Sequence, residues 1–452
     1  MPKVSVIMPS LNVCKYIKQC MDSVLNQTLP NIEILAIDAG STDGTLEILK
    51  EYEKKDSRIK VVLSEQKSYG YQVNKGIDLA TGTYISIVET DDMVAENMLE
   101  LLYDCACKYE LDYVKGDFAY WIEFENGCSW TQNMRFYPTE KETYNKVLKP
   151  SDDCNVFVQD IFLWRGIYKK SFLQENFIRL NETNGAAFQD QGFLFQTIKL
   201  AEKVMYIPEV LYFYRQNNSG SSIYNPKAYS YLVQEYPYIR SCLEKRQNFD
   251  AKIAESYYLR LFHQIIGRYR TMAASGILWE GTDVVRKQLY DWVCEGYKQD
   301  FYNAYRMGKM QYMELQQYMD SEEGYWRYQL SIYNAKKRCL KEFMDRIRNS
   351  QSVVFYSKSI VGGFVYALMK KAGINIPVYF CDNNIEKQGT MYMGTNVYSV
   401  AELVTKNPHG LYVIANRRFD SDMKKQLLEL GVAETQICVW MLDIDLLLLN
   451  MV

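Results

Sequence analysis

Hydrophobic and polar positions follow two alternating periods over the first 125 or so residues. Apolar runs of strand length are separated by segments whose apolar residues recur every three to four positions, as they do on one face of a helix. The predicted strands are Lys3–Met8, Ile32–Ile37, Ile59–Leu63 and Tyr84–Val88, and the predicted helices are Tyr16–Leu25, Thr45–Lys54 and Gln72–Ala80. This alternation predicts βαβ units and a mostly parallel sheet covered on both faces.

Polar residues cluster where three of these predicted strands end. Because ligands of parallel sheets bind beyond the carboxyl ends of the strands, we expect the rim of a site at Pro9–Asn12, Asp38–Ser41 and Glu89–Asp92. Ser41 or Thr42 is expected to cap the helix after the second strand, since a hydroxyl there can accept from the free amides of the first turn.

The pattern changes twice beyond residue 125. Loops and aromatic residues dominate 126–225, and helical stripes dominate 226–348, for example in Tyr257–Tyr269 and Asp283–Tyr297. Residues 349–452 return to alternation and predict a small doubly wound α/β domain. Its predicted strands are Ser352–Tyr356, Val378–Cys381, Leu411–Ala415 and Gln436–Trp440, and its predicted helices are Gly363–Lys371 and Asp422–Leu430. The segment from Leu442 onwards fits a strand and a helix equally well.

Composition narrows the classes of partner. The chain has 52 basic and 55 acidic residues, which disfavours nucleic acid as the main partner, because binding to a phosphate backbone needs concentrated positive charge. Its 11 cysteines lack metal-site spacing, and its opening MPKVSVIMPS lacks the features of a signal peptide. We therefore expect a cytoplasmic protein, with peripheral contact at the inner face of the membrane left open.

The segment Glu89-Thr90-Asp91-Asp92 carries the clearest chemistry. Adjacent carboxylates at the end of a buried strand repel one another unless a cation or hydrogen-bond donors compensate. Mn²⁺ or Mg²⁺ bridging two phosphates is one such compensation, because these ions prefer carboxylate and phosphate oxygens. The alternative is an acidic turn that caps a helix starting near Val94.

Other residues of the predicted rim offer polar contacts. Asp38 can accept hydrogen bonds from a nucleobase or a ribose, and Gly40 lets a ligand approach the backbone closely. An ordinary turn with a helix cap explains the same two residues. The remaining candidates are Pro9, Asn12, Asn74 and Lys75.

The segments PKVSVIMPSLNVCKYIKQCMDSVLNQTLPNIEILAIDAGSTDGT and NKGIDLATGTYISIVETDD together resemble the family 2 glycosyltransferases of the GT-A fold. The resemblance runs from Val4 to about Asp117 and is greatest with the bacterial branch that builds surface polysaccharides. It implies a GT-A domain over 1–225, with a nucleotide half at 1–125 and an acceptor half at 126–225. It also implies a nucleotide-sugar donor, expected to be a UDP-sugar, a divalent metal, and a glycan or lipid-linked acceptor.

The resemblance also implies roles for single residues. Asp38 matches the aspartate of the DDGS motif that recognises the base, although Ala39 replaces the second aspartate of that motif. Glu89-Thr90-Asp91 matches the DxD motif, which implies Asp91 as the metal ligand and Glu89 as a looser contact to the ribose or the metal. Asp92 is expected to hold the loop.

Two downstream segments resemble the acceptor half of the same family. WRGIY from Trp164 and FQDQ from Phe188 put Asp190 where an ED motif supplies the catalytic base, with Gln189 in place of the glutamate. YFYR from Tyr212, followed by the serines between 219 and 222, resembles the YxYR…S segment. Arg215 is expected either to steady the diphosphate or to pair with a carboxylate.

The last region, 349–452, resembles Rossmann-like domains appended to surface-glycan transferases. Ser357, Lys358 and Ser359 stand where a dinucleotide site needs glycines, so we expect a structural or partner-binding role.

The leading hypothesis for the whole chain is an inverting hexosyl- or hexosaminyltransferase. A non-catalytic nucleotide-binding or scaffold protein that retains the fold is one alternative. A nucleotidyltransferase is another, although it would need a glycine-rich basic loop after the first strand. Assembly into a homo-oligomer is left open.

Overall fold

The computed structural model describes residues 1–136, 143–218, 220, 228–276, 283–416 and 418–452. They form two units by their internal contacts. The first unit comprises 1–120, 133–269 and 278–325, and the second comprises 121–132, 270–277 and 326–452. No helix in these described ranges is both long and apolar enough to cross a membrane.

The first sheet contains nine strands within the described residues. They are β1 (Val4–Ser10), β2 (Ile32–Asp38), β3 (Ile59–Leu63), β4 (Tyr84–Ile87), β5 (Met93–Val94), β6 (Tyr113–Glu123), β7 (Ser129–Met134), β8 (Gly166–Lys169) and β9 (Val204–Arg215). The helices described between and after them are α1 (Ile17–Leu25), α2 (Thr45–Lys55), α3 (Tyr69–Leu79), α4 (Met98–Tyr109), α5 (Cys154–Gln159), α6 (Lys170–Glu175), α7 (Gln189–Leu200), α8 (Tyr229–Glu244), α9 (Ala251–Ser275), α10 (Asp283–Lys298), α11 (Ala304–Met307), α12 (Lys309–Asp320) and α13 (Glu322–Arg348).

The strand order β3-β2-β1-β4-β8-β6-β9-β5 joins a parallel half to an antiparallel half. The first four strands pair in parallel, whereas β4 pairs with β8, β8 with β6, and β5 with β9 in antiparallel fashion. Ser10 pairs with Asp38 at the carboxyl ends of β1 and β2. The α/β prediction is therefore confirmed, and the site predicted at the strand ends lies at the edge of the parallel half.

Local predictions fail at two helix starts. Gly44, at φ 101°, precedes α2 and no side chain caps that helix, so the expected cap by Ser41 or Thr42 is wrong. The Ser41 hydroxyl is already used, since it donates to Asp38 and accepts from the Asn12 amide. Helix α3 begins at Tyr69, three residues before the predicted start, because the Ser68 hydroxyl accepts from the Tyr71 amide.

The second unit contains a six-stranded sheet of order β12-β13-β11-β10-β14-β15. The strands are β10 (Val353–Tyr356), β11 (Val378–Cys381), β12 (Met391–Tyr392), β13 (Thr395–Tyr398), β14 (Leu411–Ile414) and β15 (Ile437–Val439), and the helices are α14 (Ile360–Lys371), α15 (Val400–Lys406) and α16 (Asp420–Glu429). Strands β13, β11, β10, β14 and β15 pair in parallel. The predicted doubly wound unit is confirmed.

Candidate active site

The acid loop, Glu89–Asp92, follows β4 and is fastened from both sides. The Thr90 hydroxyl donates to the Pro9 carbonyl at 2.9 Å. Asp92 is buried, and its carboxylate accepts from the Tyr212 hydroxyl at 2.8 Å and from the Arg215 amide at 2.8 Å. Asp92 thus holds the loop, as expected. The acid loop does not cap a helix, because β5 follows it and helix α4 begins only at Met98.

Asp91 and Glu89 are less constrained than Asp92, whose carboxylate accepts two hydrogen bonds. Among the described residues the Glu89 carboxylate accepts one, from the Tyr69 hydroxyl, and the Asp91 carboxylate accepts one, from the Asn218 side-chain amide at 2.7 Å. Arg215 braces the loop instead of pairing with that carboxylate. Its Nε donates to the Asp91 carbonyl at 2.7 Å, its Nη2 donates to Gln19 at 2.6 Å, and its guanidinium lies 4.7 Å from the Tyr16 ring centre.

Negative charge accumulates around Glu89. Burial raises the pKa of Glu89 to about 8, and the charges of Asp91 and Asp190 act in the same direction. The Tyr69 hydroxyl donates to Glu89 and opposes this shift. Burial and the neighbouring Asp91 also raise the pKa of Asp92. Burial and mutual repulsion therefore disfavour the ionised form of these carboxyl groups, and a nearby cation would favour it.

The turn after β2 is organised by Asp38. Its fully buried carboxylate accepts from the Gly40 amide at 2.9 Å, from the Ser41 amide at 2.8 Å and hydroxyl at 2.6 Å, and from the Ser10 hydroxyl at 3.3 Å. Gly40 has φ 80° with open space where a Cβ would lie. Asn12 at φ 55° accepts from the Thr42 amide at 2.9 Å. These contacts bring Ser10, Asn12 and Asp38 to one edge of the sheet.

Asn74 and Lys75 are engaged within the chain. The buried Asn74 amide donates to the Leu180 carbonyl and to Glu182, each at 2.9 Å, and accepts from the Leu180 amide at 2.9 Å. Lys75 forms an ion pair of 2.6 Å with Glu65. Asn74 thereby ties helix α3 to the segment that leads to Asp190.

Asp190 lies in the first turn of α7, two residues after Phe188, which has φ 66°. Burial raises its pKa, while the charge of Arg260 lowers it. Gln189, which replaces the expected glutamate, folds back and donates to the carbonyls of Thr183 at 2.8 Å and Gly185 at 3.0 Å. Gln189 thus fixes the preceding loop, and Asp190 is the residue of this pair that provides a carboxylate.

An aromatic cluster packs beside the acid loop. Trp164 stacks on Tyr212, with ring centres 4.1 Å apart, and on Phe162 at 4.7 Å. Tyr212 and Trp164 are buried, whereas Phe162 keeps part of its surface exposed. The cluster consists of Phe118, Tyr120, Phe162, Trp164, Tyr212 and Tyr214. Arg165, beside it in sequence, is instead buried in an ion pair of 2.8 Å with Asp160.

Sequence reasoning did not single out Tyr69, Asn218, Glu235 or Arg260. Tyr69 could have been found from the sequence, because it directly follows Ser68, which caps helix α3. The other three residues are brought to the site by long-range packing. Ser219, Ser221 and Ser222 of the predicted YxYR…S segment lie outside the described residues.

The donor set suits a hard divalent cation. Carboxylate oxygens are the ligands that such ions prefer, the Asp91 carboxylate is under-bonded, and repulsion around Glu89 would be relieved by positive charge. No cluster of three or more metal-binding side chains is found among the described residues. Mg²⁺ commonly takes only one or two protein carboxylates and completes its shell with phosphate and water.

Comparison with known proteins decides the family. Residues 5–170 match the family model of "Glycosyl transferase family 2". The chain is 32% identical over 219 residues to the glycosyltransferase GlyG of Streptococcus pneumoniae serotype 4, which covers 48% of this chain and 72% of GlyG. The chain belongs to glycosyltransferase family 2.

Further similarities lie within and beyond this glycosyltransferase domain. The putative teichuronic acid biosynthesis glycosyltransferase TuaG of Bacillus subtilis is 41% identical over 114 residues, covering 24% of this chain and 45% of TuaG. A crystal structure of S. aureus TarS residues 1–349 with UDP-GlcNAc aligns at 18% identity and TM-score 0.42, covering 66% of this chain and 92% of that one. Residues 292–439 match the model of a C-methyltransferase C-terminal domain.

Proposed function

We propose that this glycosyltransferase is an inverting enzyme that moves a hexosyl or hexosaminyl group from a UDP-sugar to a hydroxyl of a bacterial surface glycan or its lipid-linked precursor. The observation that carries the proposal is the convergence of the under-bonded Asp91 with Glu89 and Asp190. Similarity to TuaG, a putative teichuronic acid glycosyltransferase, supports an acceptor in cell-surface polysaccharide synthesis.

The donor is proposed to bind along the edge formed by Ser10, Asn12 and Asp38, with the nucleobase at Asp38 and the backbone of Gly40 against the ligand. The Asp38 carboxylate accepts four hydrogen bonds within the chain, which hold the turn at Gly40 and Ser41 rigidly in place for the donor. Asp91, with Glu89 more loosely, would hold Mn²⁺ or Mg²⁺. The metal, when bound, neutralises the departing diphosphate.

Asp190 is proposed as the general base. Its carboxylate takes the proton of the acceptor hydroxyl while that oxygen forms a bond to the anomeric carbon. The bond from the anomeric carbon to the diphosphate oxygen breaks on the opposite face, so the configuration inverts and UDP leaves with the bonding electrons. Arg215 contributes by holding the acid loop rather than by a contact to the diphosphate.

The aromatic cluster supports a carbohydrate acceptor. Phe162, Tyr120 and Tyr214 keep partly exposed ring surface beside the acid loop, and aromatic rings offer a large apolar face with little conformational entropy to lose. The Phe188 ring, two residues before Asp190, packs on the Arg268 guanidinium at 5.3 Å.

A panel of nucleotide sugars with Mn²⁺ tests the proposal by two readouts. A UDP-sugar should raise the melting temperature by mass action and release UDP. Failure of every nucleotide sugar in both readouts would refute the proposal. Binding without release would favour the alternative of a non-catalytic nucleotide-binding protein, for which Ala39, Glu89 and Gln189 are the departures from the family motifs.

A further inference from the structure

Helix α8 supplies a hydrogen-bond acceptor to the helix that carries Asp190. The Gly192 amide donates to Glu235 Oε1 at 2.8 Å, and the Asn181 side chain donates to Glu235 Oε2 at 3.1 Å. The carbonyl of Phe188, which precedes the first residue of α7, accepts from the Gln191 amide at 2.9 Å, and the Gly192 amide donates to Glu235 on α8. Glu235 is 1% exposed, so this contact is an internal one.

The same turn leaves no room for movement towards α8. A Cβ on Gly192 would lie 2.6 Å from Glu235 Oε1 and 2.8 Å from the Tyr238 ring. The Tyr238 hydroxyl donates to the Arg179 carbonyl at 2.9 Å, so α8 contacts both the start of α7 and the segment at Arg179.

Helix α9 donates two hydrogen bonds to Gln191, the residue next to Asp190. Arg260, 1% exposed, donates from Nε to Gln191 Oε1 at 2.6 Å and from Nη1 to the Phe157 carbonyl at 2.5 Å. Gln264 donates to the same Gln191 oxygen at 2.5 Å. Arg260 Nη2 is buried without a hydrogen-bond partner among the described residues, so its positive charge is only partly neutralised.

Several ionisable groups face Asp190 from the surrounding elements. They are Arg260 on α9, Glu235 and Tyr236 on α8, Tyr69 on α3, Tyr168 on β8 and Glu89 in the acid loop. Arg260 is the cation of this group. A cation beside a carboxylate favours the charged form, and burial disfavours it.

We propose that Glu235 and Arg260 are positioning residues of the transfer reaction: Glu235 fixes the start of helix α7, and Arg260 fixes Gln191 and places positive charge beside Asp190. This inference rests on the proposed role of Asp190 as the base. Helices α8 and α9 lie outside the family match at 5–170. The inference assigns them the function of positioning Asp190.

The pH profile of UDP release tests Arg260. Activity needs ionised Asp190, so loss of the cation should raise the pKa that governs the acidic limb. In Arg260→Met the limb should move upward by about one pH unit, whereas Arg260→Lys should stay close to wild type. Arg240→Met, at a partly exposed arginine on α8, is the matched control and should not move the limb. An unmoved limb in folded Arg260→Met overturns the inference for Arg260; if that variant does not fold, Arg260→Gln tests the same shift.

A split between kcat and KM tests Glu235. Burial raises the pKa of Glu235 to about 8, so glutamine resembles its neutral form and keeps an oxygen for the Gly192 amide. Glu235→Ala should lower kcat about tenfold or more, because the buried Gly192 amide loses its acceptor and Asn181 loses one of its two, with donor KM within about twofold. Glu235→Gln should restore kcat, and the exposed Glu244→Gln on α8 serves as control.

Two results keep this inference separate from the proposed function. UDP affinity and the melting temperature show whether Glu235→Ala is folded. Equal kcat in folded Glu235→Ala and wild type overturns the role of Glu235. Full activity of Asp190→Asn instead refutes the base, and with it the proposed function.

Discussion

Each unit places acidic side chains directly after a parallel strand, and the outcomes are opposite. In the first unit the acid loop after β4 gathers carboxylates, and burial, together with their mutual repulsion, raises the pKa of Glu89 and Asp92. In the second unit Asp382, directly after β11, accepts from the Lys358 amide at 2.9 Å and from Lys387 Nζ at 3.0 Å. An acidic side chain at a strand end can therefore be available to a ligand, or its hydrogen bonds can be filled by neighbouring residues of the chain. The pattern of strands does not distinguish the two cases.

In the first turn of the second sheet, polar groups are likewise hydrogen-bonded within the chain. Ser357 adopts φ 110°, a region that favours glycine. The Ser359 hydroxyl accepts from the Gly362 amide at 3.1 Å, so the start of α14 is capped by its own side chain. Trp130 donates to the Ile360 carbonyl at 2.9 Å. These contacts are all made within the second unit, so this turn is held by its own side chains; the role of the domain stays a prediction.

Loss of the base should have the largest effect of the variants predicted below. Asp190→Asn keeps the shape of the side chain but cannot accept the acceptor proton, so transfer should fall by about 10²–10⁴-fold. UDP affinity should persist, since the donor edge is untouched. Rates of UDP release with saturating donor measure this; a wild-type rate would remove Asp190 from the mechanism.

Loss of a ring from the aromatic cluster should have an intermediate effect on transfer. Phe162→Ala removes a partly exposed ring face, so the ratio of transfer to hydrolysis should fall about tenfold. Methyl β-glucoside and methyl β-N-acetylglucosaminide serve as minimal acceptors in this assay. Phe177→Ala, an exposed phenylalanine outside the cluster, should keep the wild-type ratio. Equal ratios in both variants would argue against the cluster as an acceptor surface.

The buried carboxylates of the first unit predict a pH-dependent stability. The folded pKa of Glu235 is raised from 4.5 to about 8, so the folded state keeps a proton that the unfolded chain releases. The free energy of unfolding should fall as pH rises through that window, by about 1–2 kcal/mol more in wild type than in Glu235→Gln. Denaturant unfolding at pH 5 and pH 8.5 measures the difference; parallel curves would contradict it.

Asp382 should give the smallest effect. Asp382→Ala leaves the Lys358 amide and Lys387 without their acceptor, which costs about 1 kcal/mol. The melting temperature of the second unit should fall by a few degrees while UDP release stays unchanged. Asp422→Ala, exposed on α16, should leave the melting temperature unchanged. A loss of transfer in Asp382→Ala would give the second unit a share in the chemistry.

The strand ends of the first unit could be predicted from sequence because hydrophobic periodicity locates the strands, and parallel topology brings their carboxyl ends together. Asp38 and Asp91 lie there as expected. The partners of these residues could not be predicted. Asn74 meets Leu180, and Gly192 meets Glu235, through long-range packing that leaves no local pattern. The early start of α3 and the uncapped α2 likewise depend on which neighbour captures each serine hydroxyl.

The central claim is that the acid loop of the first unit is needed for metal-assisted transfer, and that Asp382 of the second unit is not. Initial rates of UDP release from the UDP-sugar selected by the nucleotide-sugar panel, with Mn²⁺ and after its removal by EDTA, test it most directly. Asp91→Asn should lose about 100-fold or more in rate, and Asp382→Asn should match wild type. EDTA should abolish, and Mn²⁺ restore, the activity of wild type and Asp382→Asn alike. Metal-dependent release at the wild-type rate in Asp91→Asn would contradict the claim.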